Sequence, residues 1–108
     1  MRRGDIVTVV IPGDYGKPRP ALIIQSDLFS EHPSITILPI TSDRHDSAPL
    51  FLLNVEPDAG NGLRLPCQIM VDKAQTVRRE KIGDRIGRLK DEQMVAVNQA
   101  LALWVGLG

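Results

Sequence analysis

Four short segments carry side chains suited to chemistry on an anionic substrate. Gly13–Pro20 reads GDYGKPRP, and Lys17 and Arg19 project from it just before an apolar run. Arg19 stands between Pro18 and Pro20. Its backbone is therefore restrained, and a restrained guanidinium offers a planar fork to a phosphate or carboxylate at small entropic cost. The alternative is a surface loop whose arginine pairs with a neighbouring Asp. Thr41-Ser42-Asp43 leaves an apolar run with two hydroxyls able to donate to a phosphate oxygen, or to cap a turn. Asp72-Lys73 pairs a carboxylate with an ammonium, suited to acid–base work if burial shifts them and otherwise to a salt-bridged turn. Arg78–Lys90 holds six cations, Arg78 and Arg79 among them, against Glu80 and Asp84. Such a face steers a polyanion or merely keeps the surface soluble.

Other chemistries lack their residues. There is no phosphate-loop lysine motif, dinucleotide fingerprint, GxSxG elbow, HExxH or calcium-loop pattern. His32 and His45 lie in polar stretches without metal-ligand spacing to another His or Cys, so neither a metal nor a cofactor is expected. Cys67 is the single cysteine. It excludes an internal disulfide and reads as a small buried hydrophobe, since no His stands near to activate a thiolate.

The elements that must position these groups are mostly strands. Asp5–Ile11, Ala21–Gln25, Ile35–Thr41, Leu50–Glu56, Pro66–Val71, Gln75–Arg78 and a short run near Ile86–Leu89 are apolar or β-branched and separated by turn residues. Pro39 within its run suggests an edge or a bulge. The last segment changes period: Met94, Val97, Leu101 and Trp104 recur at three- and four-residue steps, predicting a helix over Asp91–Val105 with Asp91 as N-cap and Gly106 as its end. The fold expected is a small, strongly bent sheet or barrel closed by a terminal helix. The apolar tail Leu101–Leu107 suggests that part of this helix faces another subunit.

The 108 residues are expected to form one domain spanning 1–108. No apolar run is long enough to cross a bilayer, and no export signal follows Arg2-Arg3, so the cytoplasm is the expected compartment. Thirteen Lys and Arg balance thirteen Asp and Glu, which argues against a protein that coats nucleic acid by bulk charge. The balance is uneven, however: Asp43, Asp46, Glu56 and Asp58 lie outside the basic Arg78–Lys90 segment.

Taken in order, several segments resemble the MazF/PemK family of toxin ribonucleases. They are Arg3-Gly4-Asp5-Ile6-Val7, Arg19-Pro20-Ala21-Leu22-Ile23-Ile24-Gln25-Ser26-Asp27, Leu38-Pro39-Ile40-Thr41-Ser42, the run from Gln68 to Val77, and Ile86-Gly87-Arg88-Leu89. The resemblance implies an SH3-like barrel with a C-terminal helix, acting as a homodimer in a type II toxin–antitoxin system. It implies metal-independent cleavage of single-stranded RNA, mainly mRNA, by 2′-hydroxyl attack, leaving a cyclic phosphate and a 5′-hydroxyl. Translation and growth would stop until an antitoxin of the MazE/PemI kind, with a flexible acidic C-terminal segment, neutralised the toxin.

Residue by residue, Arg19 and Thr41 match the family's functional arginine and threonine, and Asp72 matches an acidic position used in some members. In those members an arginine two residues earlier contributes, and here that place holds Met70. The first loop is also shorter than in members that place a histidine or glutamate there, so no general base or acid is assigned. Lys17, Ser42, His45, Lys73, Arg78 and Arg79 are candidate RNA contacts. Two other readings stand beside this one: a CcdB-like poison that binds DNA gyrase through its C-terminal helix, and a barrel that binds RNA or protein without catalysis.

Overall fold

The structure is a computed structural model that describes residues 1–107 apart from Asp14, Asp46 and Ala48. Asp46, counted above among the acidic residues outside the basic segment, lies outside the described residues. Among the described residues seven strands form one antiparallel sheet: β1 (Asp5–Val10), β2 (Pro18–Ile23), β3 (Ser34–Thr41), β4 (Leu52–Val55), β5 (Cys67–Met70), β6 (Gln75–Arg78) and β7 (Ile82–Arg88). One helix, α1 (Asp91–Val105), follows. The strand order is β4-β5-β3-β2-β1-β7, with β6 also on β3, so the sheet is barrel-like without a closed ladder. No helix among the described residues is long and apolar enough to cross a membrane.

Strand β2 begins three residues earlier than its apolar run suggests. Pro18, Arg19 and Pro20 pair with Val10, Val9 and Thr8, so Arg19 sits in a strand and not on a loop. Pairing between β2 and β3 covers only Ala21–Pro39, Leu22–Leu38 and Ile23–Ile37. Neither proline has an N–H to offer a third strand, and β3 parts from β2 at that point.

Strand β3 is central, contrary to the edge suggested by Pro39. Its other margin pairs first with β6, Ser34–Arg78 to Ile37–Gln75, and then with β5, Ile40–Ile69 and Thr41–Gln68. The register offset between these two sets is three residues, which is the length of the 3-10 turn Val71–Lys73. That turn is a three-residue bulge. Pro39 falls in the interval that the bulge leaves unpaired on that margin, where its missing donor costs nothing.

Both faces of the bent sheet are buried. Ile6, Leu22, Leu38, Ile40, Val55 and Ile69 pack with Leu89, Met94, Val97 and Ala100, while Val7, Val9, Ala21, Ile23, Ile35, Ile37 and Val77 form a second cluster. Neighbouring strand residues alternate between the two, hence the almost unbroken apolar runs. The helix buries Met94, Val97 and Ala100 rather than the longer stripe its period suggests. Trp104 is 49% exposed and meets Phe51, ring centroids 5.4 Å apart. Lys90, not Asp91, is the N-cap. Its N–H donates to Gln93 Oε1 at 3.4 Å, leaving Asp91 and Glu92 in the first turn, where carboxylates complement the helix dipole. Gly106 ends the helix at φ 81°, as expected.

The Arg-Gly-Asp opening is a structural clamp. Arg3 donates to Ile24 O at 2.9 Å and to Asn98 Oδ1 at 2.7 Å, tying the chain start to the end of β2 and to α1. Asp5 is 3% exposed and accepts from the Arg2 N–H at 2.8 Å, Arg85 Nε at 3.1 Å and Arg88 at 3.1 Å. Burial pushes its carboxyl pKa up. The Arg2 N–H, Arg85 and Arg88 outweigh burial and hold it below the ordinary 3.8. A carboxylate depressed in the folded state stabilises fully above its unfolded value and loses that contribution as pH falls through the folded value. Asp5→Asn should therefore lower stability by about 2 kcal/mol at neutral pH. The same variant should flatten the stability loss on acidification below about pH 4, both measurable by urea unfolding across pH.

Candidate functional site

The divergence of β2 and β3 creates the principal groove. Continuing the Ala21–Pro39 register two residues further sets Arg19 opposite Thr41, just beyond the last bridged pair. The two line an open groove of about 670 Å3 together with Ser42, Asp43 and Arg64, over apolar walls that include Ile11, Pro20, Pro39, Ile40 and Ile86. Thr41 Oγ1 accepts the Asp43 N–H at 3.0 Å. With one lone pair engaged from below, the hydroxyl keeps its hydrogen to donate. A guanidinium and a free O–H facing one space are what a phosphate needs from a binding site.

The segment after Thr41 is held by a buried side chain. Gln68 is 1% exposed, accepts the His45 N–H at 3.0 Å, and donates to His45 O and Asn54 Oδ1, both at 2.9 Å. This amide fastens the turn that carries Ser42 and Asp43 to β4 and β5. Cys67 also lines the groove but is 4% exposed, and burial pushes its thiol pKa up. It therefore has no thiolate character, as its isolation in the sequence suggests.

Asp72 is not in this groove. The three-residue bulge carries it off the β3 pairing and into an adjoining hollow of about 260 Å3, shared with His45, Lys73, Phe51 and Met70. Its Oδ1 is buried and has no hydrogen-bond partner among the described residues. Met70 borders both spaces and so forms the wall between them.

The remaining candidates scatter. Lys17 is exposed on the approach to β2 and does not line the groove. Arg78 pairs with Ser34, at the opposite end of β3 from Thr41 and about 23 Å away along the strand. Arg79 is bound inward, donating to Ser30 O and to His32 O at 3.3 Å, with Glu31 at 3.9 Å. Lys90 lies 3.8 Å from Asp58. The basic run is thus largely answered by carboxylates and carbonyls from elsewhere in the chain. Among the described residues, no group of three His, Cys, Asp or Glu gathers to hold a metal.

Two residues that build the groove escape a reading of the sequence: Gln68 holds its adjoining turn and Arg64 lines it. Gln68 resembles any polar residue in a strand, and Arg64 is an isolated cation after a turn-rich stretch. Only long-range pairing brings either to the site.

A profile of the family described as the PemK-like, MazF-like toxin of type II toxin–antitoxin systems matches residues 2–105. A protein of Mycolicibacterium smegmatis named "Probable endoribonuclease MazF" is 44% identical over 108 residues, covering 99% of this chain and 98% of that protein. Among solved structures, the Mycobacterium tuberculosis toxin MazF-mt6 superposes with a TM-score of 0.82 at 27% identity, covering 96% of this chain and 98% of that one. A mycobacterial endoribonuclease in complex with its cognate antitoxin superposes with a TM-score of 0.83 at 21% identity, covering 100% and 97%. The chain therefore belongs to the PemK-like, MazF-like toxin family, as a toxin endoribonuclease of a toxin–antitoxin system.

Proposed function

We propose that single-stranded RNA is cut in the groove between β2 and β3 by attack of a ribose 2′-hydroxyl on the adjacent phosphorus. The observation that carries this reading is the meeting of Arg19 and Thr41 across one open space. In the step, the 2′-oxygen loses its proton and bonds to phosphorus. The bond to the 5′-oxygen breaks and that oxygen takes up a proton, leaving a 2′,3′-cyclic phosphate and a 5′-hydroxyl. Negative charge grows on the non-bridging oxygens as the phosphorane forms. The Arg19 guanidinium stabilises it, and the free Thr41 O–H donates to one of those oxygens. Nothing in these roles calls for a metal. Ser42 extends the donor set along the groove.

Asp72, His45 and Lys73 fit contacts to a neighbouring nucleotide in the adjoining hollow. The Asp72 carboxylate borders that hollow, and its half-buried side chain is the acceptor there for a base amino group. Arg78 and Arg79 gain no support as RNA contacts from their placement.

The same reading includes a homodimer and an antitoxin, in the cytoplasm. Leu103, Trp104, Val105 and Leu107 are each about half or more exposed at the end of α1, an apolar surface consistent with contact to a second copy. An acidic, flexible antitoxin segment would be attracted to the cations of the groove and compete there with RNA.

The purified protein should cleave single-stranded RNA in EDTA and leave ends with a cyclic phosphate and a 5′-hydroxyl. Arg19→Ala and Thr41→Ala should each lower kcat/KM by about a hundredfold, the scale of one lost donor to a developing oxyanion, with unchanged circular dichroism. Cleavage that survives both substitutions would overturn the roles assigned, and absent cleavage with inhibited DNA supercoiling would favour the gyrase-poison reading. An acidic antitoxin peptide should raise the apparent KM for RNA without lowering kcat, as steady-state cleavage at several peptide concentrations would show.

A further inference from the structure

Arg64 is the second guanidinium lining the groove of Arg19 and Thr41. It is exposed, and among the described residues no hydrogen bond or ion pair holds its side chain. Five arginines of the fold are engaged by contrast: Arg3, Arg44, Arg79, Arg85 and Arg88 each bond a carboxylate, an amide oxygen or a backbone carbonyl. Asp43 lines the groove as well. Among the described residues that line the groove, Arg19 balances Asp43 and Arg64 adds a further positive charge.

The turn that presents Arg64 is firmly built. Asn61 is fully buried and receives the N–H groups of Asp58 at 3.2 Å and Leu63 at 3.0 Å, while its own Nδ2 donates to Glu56 O at 2.9 Å. Asp58 Oδ1 accepts from Gly60 and Asn61, both at 2.8 Å. Gly62 has φ +71°, and a Cβ there would lie 2.0 Å from the Ile86 carbonyl oxygen, so the turn is pressed against β7 at a point only glycine allows. Leu63 then enters the core. Buried groups therefore fix the backbone on the N-terminal side of Arg64, while its side chain has no partner among the described residues. Such an arrangement lowers the entropy lost when the guanidinium binds a ligand.

We propose that Arg64 is a substrate-binding residue that holds a phosphate of the RNA flanking the bond being cut. The proposal rests on the ribonuclease reading of the groove. Its role is grip, distinct from the charge stabilisation assigned to Arg19. Arg64→Ala should raise KM for a single-stranded RNA about tenfold at low salt and change kcat less than twofold. Loss of one phosphate contact should also reduce the slope of log(kcat/KM) against log[salt] by about 0.7. Arg64→Lys should restore most of both. A merely structural role would move the melting temperature and leave the salt slope unchanged. Direct binding of a labelled 2′-O-methyl RNA copy of a mapped cleavage site, read by anisotropy at several salt concentrations, gives the same slope without turnover. Arg64→Gln serves as a second neutral variant in both measurements. An unchanged KM and slope in variants that fold and cut RNA would overturn the proposal while leaving the ribonuclease reading intact. A fall in kcat at constant KM would also overturn it, by moving Arg64 into the reacting centre. Failure of the parent protein to cut any RNA would remove both readings together.

Discussion

The site depends on a hydrogen-bonding constraint in β2. Within Pro18-Arg19-Pro20 only the arginine carries an N–H, so this stretch can serve β1 but cannot sustain a regular ladder to β3. Strand β3 answers by continuing along β5 instead, which satisfies its last residues through Ile69 and Gln68. Two strands that share a register up to Ala21–Pro39 then part, with Arg19 and Thr41 left across the opening. The groove is thus a consequence of where backbone donors are missing, and the residues that border it inherit their positions from the register.

The three-residue bulge at Val71–Lys73 works beside this opening. It lets one margin of β3 pair with two successive strands, and it expels Asp72 from the sheet. Two hollows result, one holding Arg19 and Thr41 and one holding Asp72, with Met70 between them. A strand bearing Asp72 in continuous register would have packed the carboxylate against β3. The bulge instead places it, half-buried, in the lining of the second hollow.

Electrostatics follows the same pattern of relocation. The excess of cations in Arg78–Lys90 looks like a polyanion surface on paper, yet Arg85 and Arg88 converge on buried Asp5, Arg79 on Glu31 and nearby carbonyls, and Lys90 on Asp58. Pairing inside the fold uses the charge to join β7 to the start of the chain. The cations that line the groove come from single residues in unrelated segments. A neutral protein is thereby compatible with a locally cationic site, because a few nucleotides need few contacts.

The sequence by itself determined the mainly β fold with one C-terminal helix, since period-two and period-3.6 patterns report which face of an element is buried. It also singled out Arg19 and Thr41, through a proline-restrained arginine, a strand-end hydroxyl and a resemblance that covers nearly the whole chain. Strand pairing was not legible. The start of β2 at Pro18, the central place of β3 despite Pro39, the cap at Lys90 and the bulge at Asp72 depend on which distant segment supplies each hydrogen-bond partner. Local composition carries no record of that partner. The tertiary structure decided that Arg78 and Arg79 lie far from the groove, that Asp72 lines a separate hollow, that Gln68 holds the turn beside the groove and that Arg64 lines it. The physical reason is common to all of these. A side chain's function depends on its neighbours in space, and in an antiparallel sheet those neighbours are fixed by register between residues tens of positions apart.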